Sequence, residues 1–88
     1  MSNKVLVSVY DKVAGLYSPV MTEVNTDSAI RNFKLGAKQN AQISACPQDY
    51  ELHLICSMDD ETGLVFRSTE EQSAPICLFK AVDLFSAE

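Results

Sequence analysis

Eighty-eight residues, 47% of them hydrophobic, are enough for one small domain, and a fold of that size hides only about two-thirds of the surface exposed by its unfolded chain. Twelve acidic against seven basic side chains leave a net charge of −5, so the chain lacks the basic surplus of a protein that holds nucleic acid by bulk charge. No run approaches the length of an apolar membrane span, and Met1 to Lys4 leads into a short strand and not into a signal peptide, so a cytoplasmic protein without membrane contact is expected.

Lys4 to Tyr10 carries Val5, Val7 and Val9 on one face and Leu6, Ser8 and Tyr10 on the other, which predicts a central strand. Asp11 to Gly15 is turn-like, with Gly15 placed for a positive φ. Leu16 to Val24 then returns as an antiparallel strand that Pro19 breaks or confines to an edge. Thr26 or Asp27 is expected to cap a helix whose body runs from Ser28 to Gln39, with Ile30, Phe33 and Ala37 as its apolar stripe and Gly36 as a weak point. Asn40 to Pro47 reads as a loop. From Tyr50, large apolar residues fall on every second position (Tyr50, Leu52, Leu54, Cys56, Met58), the period of a strand with one buried face. Asp59 to Gly63 forms the turn of a hairpin whose second strand begins at Leu64. The polar run Arg67 to Ser73 is a solvated connection, Pro75 to Val82 supplies a last strand, and Asp83 onward is a tail. The expected fold class is α+β: an antiparallel sheet of four to five strands with one helix packed on a face, as a single domain over 1–83 followed by a short tail at 84–88. A second copy burying a sheet face or edge would extend so short a core, so a homo-oligomer is expected.

Arg31, Lys34 and Lys38 follow the helical spacing of three and then four, which gathers three of the seven basic residues on one helix flank. Such a flank either contacts phosphates or is simply solvated, and residue pattern alone favours the solvated face. Tyr10 and Tyr17 flank the first turn and suit either stacking on unpaired bases or ordinary packing on the sheet, the latter preferred without tryptophan or interleaved cations. Lys12, between them, is the nearest candidate for a backbone contact. The three cysteines (Cys46, Cys56, Cys77) contain no CxxC pair, and their odd number argues against a disulfide framework. Zinc bound by Cys46, His53, Cys56 and Cys77 is the sharper alternative to buried thiols. It is disfavoured because His53 and Cys56, three apart on a strand, point to opposite faces. No metal or cofactor is therefore expected. Asp59, Asp60 and Glu61 fit a turn better than a metal or acid–base site, and Glu70 and Glu71 are read the same way. No nucleophile has an evident base, so an enzyme is not expected.

Three segments carry a resemblance. Val9-Tyr10-Asp11-Lys12-Val13-Ala14-Gly15-Leu16-Tyr17 is similar to the opening strand and turn "VYDKKAGYY" of a small non-structural protein of gokushovirus-type microviruses, phages with circular single-stranded DNA. Thr26-Asp27-Ser28-Ala29-Ile30-Arg31-Asn32-Phe33 resembles that family's "SDAEAIRAF" helix, and the stretch from Pro47 to Gly63 resembles its "HPEDYELYxxGxFDEETG" segment, in the same order. The resemblance implies a non-structural, DNA-binding protein of Microviridae that acts in the host cytoplasm in single-stranded genome replication or packaging. Arg31 matches the arginine of the family's helix, and no catalytic motif accompanies the match. The leading expectation is single-stranded DNA bound by Arg31, Lys34 and Lys38 together with Lys12, Tyr10 and Tyr17. The alternative, which the net negative charge favours, is an interaction module that docks on a phage replication or capsid protein, or a host protein, without touching DNA.

Overall fold

The computed structural model describes residues 3–67 and 75–85. An antiparallel sheet and three helices make an α+β fold, in the order β1 (Asn3–Asp11), β2 (Leu16–Tyr17), β3 (Met21–Glu23), α1 (Thr26–Gln39), α2 (Ala41–Ala45), β4 (Tyr50–Asp59), β5 (Val65–Phe66), β6 (Ile76–Lys80) and α3 (Ala81–Phe85). The six strands occupy four rows. β1 and β4 pair along their whole lengths in the middle, β2 and β3 share the outer edge of β1, and β5 and β6 share the outer edge of β4.

The break between β2 and β3 follows from Pro19, which has no N–H for a ladder. Ser18 replaces the lost regularity: its N–H donates to the Val9 carbonyl at 2.8 Å and its hydroxyl oxygen accepts the Val9 N–H at 3.0 Å. The two turns that lead out of β1 and β4 use one device. In each, an aspartate side chain accepts two backbone N–H groups (Asp11 from Val13 and Ala14, Asp59 from Glu61 and Thr62), and a glycine closes back on the aspartate carbonyl. Gly15 and Gly63 hold φ of +71° and +79°, a region that side-chain-bearing residues rarely enter.

Alternation divides the sheet into two faces. Val5, Val7 and Val9 of β1, Leu52 and Leu54 of β4, and Ile76 and Phe79 of β6 face the helices, where Ala29, Phe33 and Ala37 of α1, Ile43 of α2 and Ala81 of α3 complete the core. Phe33 meets Phe79 edge to face with ring centroids 6.1 Å apart.

Several elements differ from the sequence expectation. Asn25, one residue before the expected caps, terminates α1: its side chain accepts the Ser28 N–H at 2.8 Å, which leaves Asp27 in the first turn, where a negative charge suits the helix dipole. Gly36 does not end the helix. The expected loop after α1 contains α2, because Asn40 closes one helix and caps the next, accepting from Gln42 and Ile43, while Ile43 anchors the short helix in the core. The last strand stops at Lys80, and fully buried Ala81 opens α3, with Leu84 packed on the core where a tail was expected. Most of the polar connection, including Glu70 and Glu71, lies outside the described residues, as do residues 86–88.

Candidate functional site

The face of the sheet turned away from the helices collects polar and aromatic groups, because it receives the alternate residues of the same strands. Tyr10 pairs with Glu51 across β1 and β4, Ser8 with His53, and Tyr10 with Tyr17 across β1 and β2. On the far side of β4, Leu52 opposes Phe79 but His53 opposes Cys77, so Leu78 is an extra, bulged residue. That single insertion brings Cys77 to His53.

The side chains interlock around the imidazole. His53 Nε2 lies 2.8 Å from Glu51 Oε1, and Nδ1 lies 2.8 Å from the Tyr17 hydroxyl. Tyr10 stacks on the His53 ring at 5.3 Å and touches Tyr17 at 4.7 Å between centroids, while Tyr17 meets His53 edge on at 5.4 Å. The other carboxylate oxygen of Glu51 is 3.4 Å from Lys12 Nζ. The His53 and Glu51 side chains keep only 12% and 15% of their surface, whereas Cys77 is exposed. One ligand atom each from Glu51, His53 and Cys77 fall within 4.8 Å of one another.

The contacts set the electrostatics. The hydrogen bond from His53, aided by Lys12, holds the Glu51 carboxyl below its usual range against the opposing effect of burial. Although Cys77 is exposed as a residue, partial desolvation of its thiol against the sheet raises it, and the Glu51 charge raises it further. Burial, Tyr10 and Glu51 all raise the Tyr17 phenol.

The helix cations sit elsewhere. Arg31, Lys34 and Lys38 are exposed on α1, and among the described residues none is ion-paired; Lys34 instead lies over the Phe79 ring at 5.0 Å from its centroid. Because α1 packs on the Val7/Val9 face and Tyr10 points to the opposite one, the sheet and core separate these cations from Lys12, Tyr10 and Tyr17. The six residues expected to act together thus form two groups on opposite sides of the molecule. Lys12 belongs with Glu51, and both tyrosines belong with His53.

The four-residue zinc set is not brought together either: His53 and Cys77 meet, while the third protein group beside them is Glu51. The reason expected for separating His53 from Cys56 does not hold. β1 pairs Val7 with Leu54 and Leu6 with Cys56, so Ile55 is a bulge that reverses the alternation and turns Cys56 to the His53 face. Glu51 was missed as a site residue, and Cys77 was weighed only within the disfavoured four-residue zinc set. The Glu51-x-His53 spacing on a strand signals a shared face, but the placement of Cys77 depends on the Leu78 bulge, which leaves no compositional mark.

On the helix side, a cavity of about 220 Å³ opens between β3 and α1, lined chiefly by Val7, Val9, Met21, Phe33 and Ile43, with the Asn32–Glu23 hydrogen bond at 2.9 Å beside it. Among the described residues no helix is long and apolar enough to cross a membrane. No curated protein and no solved structure matches the chain. The family model of the phage ORF5 protein matches residues 4–84, from the first strand to the last helix. A match that takes in both central strands, the cation-bearing helix and the His53 cluster shows that this chain belongs to the phage ORF5 protein family.

Proposed function

We propose that this phage protein is a non-enzymatic accessory factor that binds single-stranded DNA through α1 during viral genome replication or packaging in the host cytoplasm. The observation that carries the reading is the run of Arg31, Lys34 and Lys38 along one exposed helix flank with no carboxylate paired to it among the described residues, whereas Lys4 and Lys12 are paired to Asp60 and Glu51. With Asp27 as its only acidic residue, α1 carries a net charge of +2, which leaves −7 for the rest of a chain at −5. The resemblance of Thr26–Phe33 to the helix of gokushovirus-type proteins, Arg31 included, supports the same assignment. Three cations supply weak, salt-sensitive affinity, and assembly of two or more copies multiplies it.

The test is fluorescence anisotropy with a labelled single-stranded oligonucleotide at low and moderate salt. Binding that weakens with salt and is much weaker in the Arg31→Glu, Lys34→Glu variant supports the proposal; equal binding by that variant overturns it.

A second reading has its own observation. Val20, Met21 and Val24 at the β3 edge and Leu64, Val65 and Phe66 at the β5 edge are all exposed, as suits pairing with a second copy or with a phage or host protein. A stoichiometric protein complex that forms without nucleic acid, and survives Arg31→Glu, Lys34→Glu, favours docking over DNA.

A further inference from the structure

We propose that Glu51, His53 and Cys77 form a zinc-binding site on the helix-free face of the sheet, with Glu51 Oε1, His53 Nε2 and Cys77 Sγ as ligands and a fourth position open to water. Carboxylate, imidazole and thiolate are the three donor types zinc accepts from proteins, and three protein ligands leave the fourth tetrahedral position to a water molecule. One ligand atom from each of the three residues already lies within 4.8 Å of the other two. Tetrahedral coordination asks for separations of about 3.3 to 3.6 Å, so the 2.8 Å His53–Glu51 contact widens by about half an ångström while Cys77 swings in to complete the set. Side-chain rotation alone provides such shifts, and exposed Cys77 is the least restrained of the three.

The surroundings suit the ion. Lys12 contacts Oε2 of Glu51, not the Oε1 that faces His53, so monodentate ligation leaves the ion pair in place. The Tyr17 hydroxyl at Nδ1 fixes the ring so that Nε2 points at Glu51, the outer-shell hydrogen bond that a zinc-bound histidine needs. With no metal, a neutral ring carries its proton on Nε2, donates it to Glu51 and accepts from Tyr17. Zinc takes the Nε2 lone pair; the ring proton then resides on Nδ1, where the Tyr17 oxygen accepts it, and the Cys77 thiol loses its proton to solvent. Carboxylate and thiolate together neutralise the divalent ion. Zinc uptake accordingly releases one proton per chain and tightens as pH rises, because the ligating sulfur binds as thiolate.

The test is a Co²⁺ titration of the purified full chain under reducing conditions, with Zn²⁺ as competitor. One equivalent of Co²⁺ is expected to give the thiolate-to-cobalt charge-transfer band and the visible spectrum of a four-coordinate ion, both abolished by Zn²⁺. The band is expected to vanish in Cys77→Ser, to persist in the Cys46→Ser, Cys56→Ser double variant, and to need about 10-fold or more additional metal in Tyr17→Phe. Far-ultraviolet circular dichroism identifies the folded variants, and Cys77→Ala, which also removes the thiolate and is likewise expected to lose the band, stands in should Cys77→Ser not fold. The proposal is overturned if no saturable one-equivalent band appears, if folded Cys77→Ser retains it, or if the Cys46/Cys56 variant loses it while folded.

Discussion

Reversing the charge at Arg31 and Lys34 is expected to flatten the salt dependence of single-stranded DNA binding, and the size of the change follows from the helix. Each phosphate neutralised on a single strand contributes about −0.7 to the slope of log affinity against log salt. Three unpaired cations on α1 set the expected slope near −2, and Lys38 alone leaves about −0.7. Between 50 and 200 mM salt, wild type should lose affinity about 20-fold and the Arg31→Glu, Lys34→Glu variant about 3-fold, from a far weaker starting point. Lys34 contributes least of the three, since its ammonium leaves the Phe79 ring to reach a phosphate and gives up about 0.5 to 1 kcal/mol of cation–π attraction. Anisotropy titrations at five or more salt concentrations measure both slopes. A wild-type slope indistinguishable from zero, or a Lys12→Ala variant that alters the slope as much as the helix variants do, refutes the assignment of binding to α1.

Three further outcomes follow from the fold and the cluster. Glu51 is held below its ordinary 4.5 by His53 and Lys12, and such a carboxylate contributes stability that is present above the ordinary value and lost as pH falls through the lowered one. Urea unfolding should therefore show Glu51→Gln less stable than wild type at neutral pH, with the gap closing as pH falls through the lowered value; a gap unchanged in acid contradicts the sign. Gly36→Ala, inside α1 and with nothing within 4 Å of the added methyl, should stabilise the protein by about 0.5 to 1 kcal/mol and raise Tm by several degrees in calorimetry. Leu52→Ala, at a fully buried position in the middle of the sheet, should cost about 2 to 5 kcal/mol in the same unfolding assay.

The parts of the fold legible in the sequence are those written in long periodic runs. The alternation of Val5, Val7 and Val9 and of Tyr50, Leu52 and Leu54 gives both central strands, and the aspartate and glycine at either end of each turn give their exits. Helix α1 is legible for its stripe but not for its cap, because Asn25, Thr26, Asp27 and Ser28 are all good capping residues and only the extended backbone at Asn25 selects among them. Helix α2 is hidden since a five-residue segment with one apolar anchor, Ile43, owes its shape to the core it touches. The His53 cluster was half visible. Tyr10 and Tyr17 follow from the turn that joins their strands, and Glu51 and His53 share a face by period, but Cys77 and Cys56 reach that face only through one-residue bulges at Leu78 and Ile55. A bulge shifts the register by one residue without altering composition, so face assignments beyond it invert unannounced.

The two candidate surfaces bear on one another through distance and screening. The protein measures 23 Å across its two shorter axes, more than twice the Debye length of about 8 Å at physiological salt, so Glu51 and the other groups on the helix-free face hardly affect a phosphate at α1. At low salt the screening length grows past the thickness of the molecule, and the −7 carried outside α1 begins to repel a polyanion from every side. Two effects of opposite sign then compete: counterion release favours binding as salt falls, while long-range repulsion opposes it. The log–log plot should consequently bend, shallow below the concentration at which the Debye length matches the thickness of the molecule and approaching the three-cation slope above it. A purely local patch on a neutral protein would give a straight line, so the curvature itself reports that the helix works against the acidic balance of the rest of the chain.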